Sequence, residues 1–131
     1  MTRNNYFILN LLLLVFSFLF SDVVYADCND ARRKCENECA SATSFFNYEK
    51  GEYQSLNGTD FQDNCSSACK RGFRYCKSES NLDDGCDAFK RKCRNDCPSS
   101  IFSYKSSSYI LLTDADSVCE DACRAGYRRC N

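Results

Sequence analysis

Residues 28–39 read CNDARRKCENEC and residues 65–76 read CSSACKRGFRYC; further on, 86–97 read CDAFKRKCRNDC and 119–130 read CEDACRAGYRRC. The first and third share the spacing C-x6-C-x3-C, and the second and fourth are its mirror image, C-x3-C-x6-C. Other residues repeat with the cysteines. Arg33, Lys34 and Asn37 return as Arg91, Lys92 and Asn95, and Ala68, Gly72 and Arg74 as Ala122, Gly126 and Arg128. The chain is an internal duplication.

Helical geometry accounts for the mirror. Steps of four, seven and eleven residues return to one face of an α-helix, whereas in a strand the odd steps send alternate cysteines to opposite faces. Each triplet is therefore one helix seam. At the helical rise, Cys28 to Cys35 covers about 10.5 Å and Cys35 to Cys39 about 6 Å, and the second helix of each copy has these intervals in reverse order. Only antiparallel pairing sets equal intervals opposite each other. Of the many pairings open to six cysteines, spacing selects the nested one: Cys28 with Cys76, Cys35 with Cys69 and Cys39 with Cys65, then Cys86 with Cys130, Cys93 with Cys123 and Cys97 with Cys119. The expected fold class is all-α, two tandem antiparallel helical hairpins with three disulfides each.

The remaining chain fits an exported product. Residues 1–26 read as a signal peptide: Arg3 precedes an apolar run from Tyr6 to Phe20, and Val24 and Ala26 stand at the positions before a cleavage site. The run is shorter than the roughly 20 residues a membrane-spanning helix needs. Residues 27–76 then form repeat one, 77–85 a polar linker with Leu82 its single apolar residue, and 86–131 repeat two. Twelve cysteines in so short a chain indicate a disulfide framework. A structural zinc site is disfavoured, because the closest pairs are C-x3-C and histidine is absent.

Local signals place the helix ends. Thr59 with Gln62 and Thr113 with Asp116 stand at N-cap and N3 spacing and mark the starts of the second helices. Pro98 stops the first helix of repeat two. No proline intervenes in repeat one, so its first helix is free to run past Cys39 as far as Gly51, with Ala42 and Phe46 continuing the seam. Gly72 and Gly126 lie on the cysteine face and make room between rungs; the aliphatic stems of Arg32 and Lys90 are expected opposite them.

The chemistry open to this chain is narrow. Without histidine, and with every cysteine bridged, the common nucleophilic and metal-dependent routes are closed, and a two-helix hairpin has no interior to hold a carboxylate pair across a pocket. No enzyme activity, cofactor or metal is expected. Net charge is −1, which disfavours nucleic acid as a partner. Within each copy basic residues crowd the end near the chain termini and acidic residues the loop end. That polarity complements the helix dipoles, or else offers a basic surface to an anionic glycan or lipid.

The loops between helices are aromatic. Repeat one offers Phe45, Phe46, Tyr48, Tyr53 and Phe61; repeat two offers Ile101, Phe102, Tyr104, Tyr109, Ile110, Leu111 and Leu112. They either fold back to plug the open end of each hairpin or form a recognition surface, with Phe45, Phe46, Tyr48, Tyr53, Phe102, Tyr104 and Tyr109 as candidate partner-binding residues. They also read as the most divergent part of the two copies, which suits a scaffold presenting two different surfaces. Asn57-Gly58-Thr59 is a glycosylation sequon with Asn57 as the candidate acceptor, and Asn64-Cys65-Ser66 a poorer one.

The C-x3-C, gap, C-x3-C core of each copy resembles the plant α-hairpinins, disulfide-bonded helical hairpins that include antimicrobial peptides and protease inhibitors. The nested ladder resembles the molluscan attractin pheromones, which are also disulfide-bonded antiparallel helix pairs. Both resemblances cover the staples only, and the duplication departs from both. The function expected is a secreted, cysteine-rich binding, effector or signalling protein acting on an extracellular protein or receptor. The alternatives are a membrane-active antimicrobial or toxin-like protein, and a protease inhibitor presenting Lys50 or Lys105.

Overall fold

The computed structural model of the chain describes residues 27–79, 81–112 and 118–130. The expected leader over 1–26 and the expected helix start at Thr113 with Asp116 lie outside these residues. The cysteines sit on four helices among the described residues: α1 (27–41), α2 (Phe61–Ser78), α3 (Leu82–Asn95) and α4 (Val118–Cys130), with Cys97 just past the end of α3. All six disulfides expected from spacing form, with Cα–Cα distances from 5.5 to 6.0 Å. Equal rungs on antiparallel helices fix the register without further help.

The helices begin and end where local chemistry directs. Asn81 caps α3, its side chain accepting the Asp84 N–H at 2.8 Å. Acidic Asp83 and Asp84 occupy the first turn and basic Lys92 and Arg94 the last, each matched to the helix dipole. The helix ends before Pro98, with the Asp96 N–H closing on carbonyls of the final turn. Helix α2 starts one residue later than the Thr59–Gln62 spacing predicts. Its N-cap is Asp60, which makes no side-chain cap bond. Thr59 instead accepts the Phe61 N–H at 3.3 Å, and the Gln62 amide reaches across to the Ala40 carbonyl of α1.

Each inter-helix loop is a β-hairpin. Strand β1 (Ser44–Asn47) pairs antiparallel with β2 (Glu52–Ser55), and β3 (Ser100–Ser103) with β4 (Ser108–Leu111). The expected continuation of the first helix to Gly51 does not occur; α1 gives out with the Ala42 N–H on Glu38. From Ser44 the pattern changes period, with Phe45 and Asn47 inward and Ser44 exposed. Alternation of this kind, with aromatic residues that favour strands, satisfies the backbone across the hairpin rather than along a helix.

Polar sequence misled at 77–85 as well. Helix α2 runs to Ser78 and α3 opens at Leu82, so the expected linker is mostly helical, and Gly85 is buried. Charged Lys77, Asp83 and Asp84 lie on the exposed faces of these two helices.

The two copies share one core. Helix α2 packs extensively on α3. Cys35 and Cys93 sulfurs, from different copies, lie 3.6 Å apart, and those of Cys76 and Cys130 3.9 Å apart. Phe89 is fully buried between the copies. A Cβ on Gly72 would lie 2.8 Å from the Phe89 carbonyl oxygen, and one on Gly126 2.6 Å from that of Ala31 and 2.8 Å from the Phe89 ring. The glycines therefore admit the other copy's helix. The nearest atoms to the two glycines belong to Phe89, Cys93 and Ala31 rather than to the stems of Arg32 and Lys90, whose charged heads lie 4.6 Å over the Phe73 ring and 4.7 Å over Tyr127, equivalent contacts in the two copies.

Replacing Phe89 by Ala is expected to cost about 3–5 kcal/mol in denaturant unfolding with disulfides intact. Hydrogen exchange in that variant should speed up in α1 and α2 as well as in α3. Loss of protection confined to α3 and α4 would show two independent copies.

Candidate functional site

The hairpins divide their aromatic residues by face. Phe45 and Ile101 point inward and are buried, as is Phe61 at the start of α2. They close the end of the helical core, so Phe45 belongs to the interior and not to a contact surface. Asn47 and Ser103, also buried, sit at the matching position one step from the turn. Asn47 accepts the Lys50 N–H at 3.0 Å and donates to Gln54 at 3.1 Å; Ser103 accepts the Ser106 N–H at 3.4 Å. These side chains fold the turns from inside.

The outward face is a matched pair of clusters. Phe46 faces Tyr53 across β1 and β2 with ring centroids 5.2 Å apart, and Tyr48 meets Phe46 edge-on at 4.7 Å. Phe102 faces Tyr109 at 5.2 Å, and Tyr104 meets Phe102 at 5.5 Å. In both, the phenylalanine is half-buried and carries two tyrosines that stand in solvent: Tyr48 is 66 % exposed, Tyr53 74 %, Tyr104 62 % and Tyr109 72 %. The strand registers are identical, with Ser44, Phe46, Tyr48 and Tyr53 matching Ser100, Phe102, Tyr104 and Tyr109.

The hairpins are thus alike, not the divergent surfaces expected from sequence. The misreading has a definite source. Phe46 stands seven residues after Cys39, whereas Phe102 stands five after Cys97, so aligning the copies on cysteines puts the hairpins out of step. The shared F-x-Y-x4-Y spacing was the available signal.

A short seam ties the hairpins together. Residues 58–60 run along the outer edge of β3: the Tyr104 N–H donates to the Gly58 carbonyl at 2.8 Å, the Asp60 N–H to that of Phe102 at 3.1 Å, and the Phe102 N–H to the Asp60 carboxylate at 2.7 Å. A groove of about 440 Å³ separates the tips, lined by Asn47, Glu49, Lys50 and Gln54 on one side and by Ser106, Ser108, Tyr109, Ile110 and Leu111 on the other.

Several of the basic residues are engaged. Lys34 pairs with Glu38 at 2.6 Å, Arg71 with Asp96, and Arg94 with Glu120 at 3.2 Å. Lys92 lies 4.5 Å over the Tyr75 ring. Sulfurs of Cys35, Cys39 and Cys69 gather closely, but every one is bridged, and a bridged sulfur has no thiolate to offer a metal. No described helix is long and apolar enough to cross a membrane.

The fold and the site together define a disulfide-stapled four-helix protein that displays two matched aromatic hairpins at one end. Compared with protein families, curated proteins and solved structures, the chain matches none of them. The likeness to α-hairpinins and attractins stays at the level of disulfide-stapled helices.

The two faces should separate on mutation. Phe45→Ala is expected to destabilise by about 3 kcal/mol or more, while Tyr53→Ser, on the opposite face of the same hairpin, should stay within about 1 kcal/mol. Equal losses in thermal unfolding would place Tyr53 in the core.

Proposed function

We propose that the protein is a secreted, non-enzymatic recognition protein that engages an extracellular protein or receptor through the outward faces of its two hairpins, as an effector or signal. The observation that carries this is the repeated Phe–Tyr–Tyr cluster, four of whose rings stand in solvent at matched positions. Side chains that served only packing would be turned inward, as Phe45 and Ile101 are. Tyrosine supplies a large amphipathic contact at low conformational cost, and serine, glycine and asparagine around it supply adaptable hydrogen bonds. The segments SFFNYEKGEYQS (44–55) and SIFSYKSSSYIL (100–111) have this composition.

The scaffold supports the same reading. Six disulfides suit an oxidising environment outside the cell, and the leader expected over 1–26 directs the chain there. Two sites on one rigid body raise the effective concentration of the second contact once the first has formed. An inhibitor reading fits less well. Lys50 and Lys105 lie in tight hydrogen-bonded hairpin turns, and the Lys50 N–H is held by Asn47. A membrane-active reading can draw on exposed Lys70, Arg74, Arg91, Arg128 and Arg129, but Lys34, Arg71, Lys92 and Arg94 already sit beside carboxylates or over a ring.

The test is capture from extracellular material by the mature chain, set against a variant with Tyr48, Tyr53, Tyr104 and Tyr109 all changed to Ser. Partners should be retained by the parent and lost by the variant, and each single change at the contact should weaken binding about tenfold. Identical partner sets would remove the hairpins from the function. Leakage of anionic vesicles by both proteins would favour membrane attack, and trypsin inhibition abolished by Lys50→Ala or Lys105→Ala would favour the inhibitor.

A further inference from the structure

Asparagine side chains at two turns of this molecule serve the backbone: Asn47 holds the Lys50 N–H, and Asn81 caps α3. Asn57 is different. Its backbone N–H donates to the Ser55 hydroxyl at 3.1 Å, but the residue is exposed and its carboxamide makes no hydrogen bond among the described residues. It opens the sequence Asn57-Gly58-Thr59, on a turn where Gly58 takes φ +74°. Asn64, in Asn64-Cys65-Ser66, is half-buried within α2 beside a fully buried bridge and lacks such room.

We propose that Asn57 carries an N-linked glycan and that this glycan covers the Phe102–Tyr104 side of the second hairpin, so that the second hairpin meets a partner through Tyr109 and the first through both its tyrosines. The second half rests on the reading of the hairpins given above. The residue after Asn57 is tied to the cluster itself, since the Gly58 carbonyl accepts the Tyr104 N–H and Asp60 holds Phe102 by both its backbone groups. A sugar on Asn57 leaves the chain one residue from that seam. Tyr53 stands four residues back along the chain, and β1 and β2 lead away from Asn57 toward the Tyr48 turn. After β4 the chain reads Leu112-Thr113-Asp114, with no asparagine, so the modification breaks the symmetry of the two copies.

The transfer is a substitution at carbon. The Asn57 amide nitrogen bonds to the anomeric carbon of a lipid-diphosphate-linked oligosaccharide, the carbon–oxygen bond to the diphosphate breaks, and the nitrogen gives up one proton; nothing is oxidised or reduced. In the folded chain the Thr59 hydroxyl donates to the Leu56 carbonyl at 2.7 Å and accepts the Phe61 N–H. The hydroxyl that such a sequon must present is therefore occupied, and modification precedes closure of this turn.

The test uses the full chain secreted from a eukaryotic cell, with peptide N-glycosidase F and intact mass as the first readout. A glycan mass should be lost on enzyme treatment, absent in Asn57→Gln, kept in Thr59→Ser and unaffected by Asn64→Gln. Absence of that mass, or its persistence in Asn57→Gln, overturns the site. Nitration by tetranitromethane, located by peptide mass, is the second readout. Tyr104 should react several-fold more slowly than Tyr48 in the glycosylated protein and recover in Asn57→Gln, whose Tyr48 rate should not change. A Tyr104 rate indifferent to the glycan overturns the covering. Neither readout involves a partner, so failure of the recognition reading would show separately, in the capture experiment.

Discussion

Helices of different copies approach closely enough to exclude a side chain, and the rest of the architecture depends on it. No side chain fits at Gly126, where even a Cβ would press on the Ala31 carbonyl oxygen, and Gly72 is barely wider against the Phe89 backbone. Because the helices come so near, disulfide sulfurs from the two copies touch and Phe89 is shut in completely. The core is made largely of cysteine with few large apolar side chains, and bridges worth about 2–4 kcal/mol each add to it by restricting the unfolded state. Yet every bridge lies within one copy. Between the copies, noncovalent packing takes over: the two glycines and Phe89 in the core, with the Arg71–Asp96 pair and the Gly58–Asp60 seam outside it.

What the sequence disclosed follows the stiffness of each signal. A helix has a fixed rise, so cysteine intervals act as a ruler, and the full disulfide pattern could be read from spacing. Pro98 was equally plain, because its ring forbids the preceding residue from helical geometry. The hairpins were hidden because Ala42 and Phe46 fall where a continuing helix seam would place them, while the alternating signal lasts only four residues per strand. The joined helices at 77–85 were hidden for another reason. An exposed helical face and a linker are both polar, and only the Asn81–Asp84 cap separates them. The packing partners of Gly72 and Gly126 were out of reach of pattern alone, since nothing in one copy's periodicity says that its neighbour is the other copy.

Duplication followed by small asymmetries gives the site its character. Both hairpins keep the phenylalanine hub and two tyrosines, but their turns differ. The first carries Glu49, Lys50 and Glu52, and the second Lys105 followed by serines. The Gly58–Asp60 edge binds the first copy to the β3 strand of the second. A strand edge paired in this way is closed to other chains, so the seam both joins the hairpins and protects one of them from adventitious pairing.

The arrangement of the rings bears on how the surface can work. Tyr48 and Tyr53 each meet Phe46 edge-on, and Tyr104 and Tyr109 each meet Phe102 in the same geometry. Such contacts are worth about 0.5–1.5 kcal/mol beyond buried area, enough to bias exposed side chains toward one arrangement before any partner arrives. Ordering those rings on binding then costs less than ordering isolated tyrosines on a flexible loop. The buried asparagine and serine at each turn extend the effect to the backbone, and the helices below, stapled in register, extend it to the whole end of the molecule. Rigidity built from sulfur at one end thus becomes readiness of aromatic surface at the other.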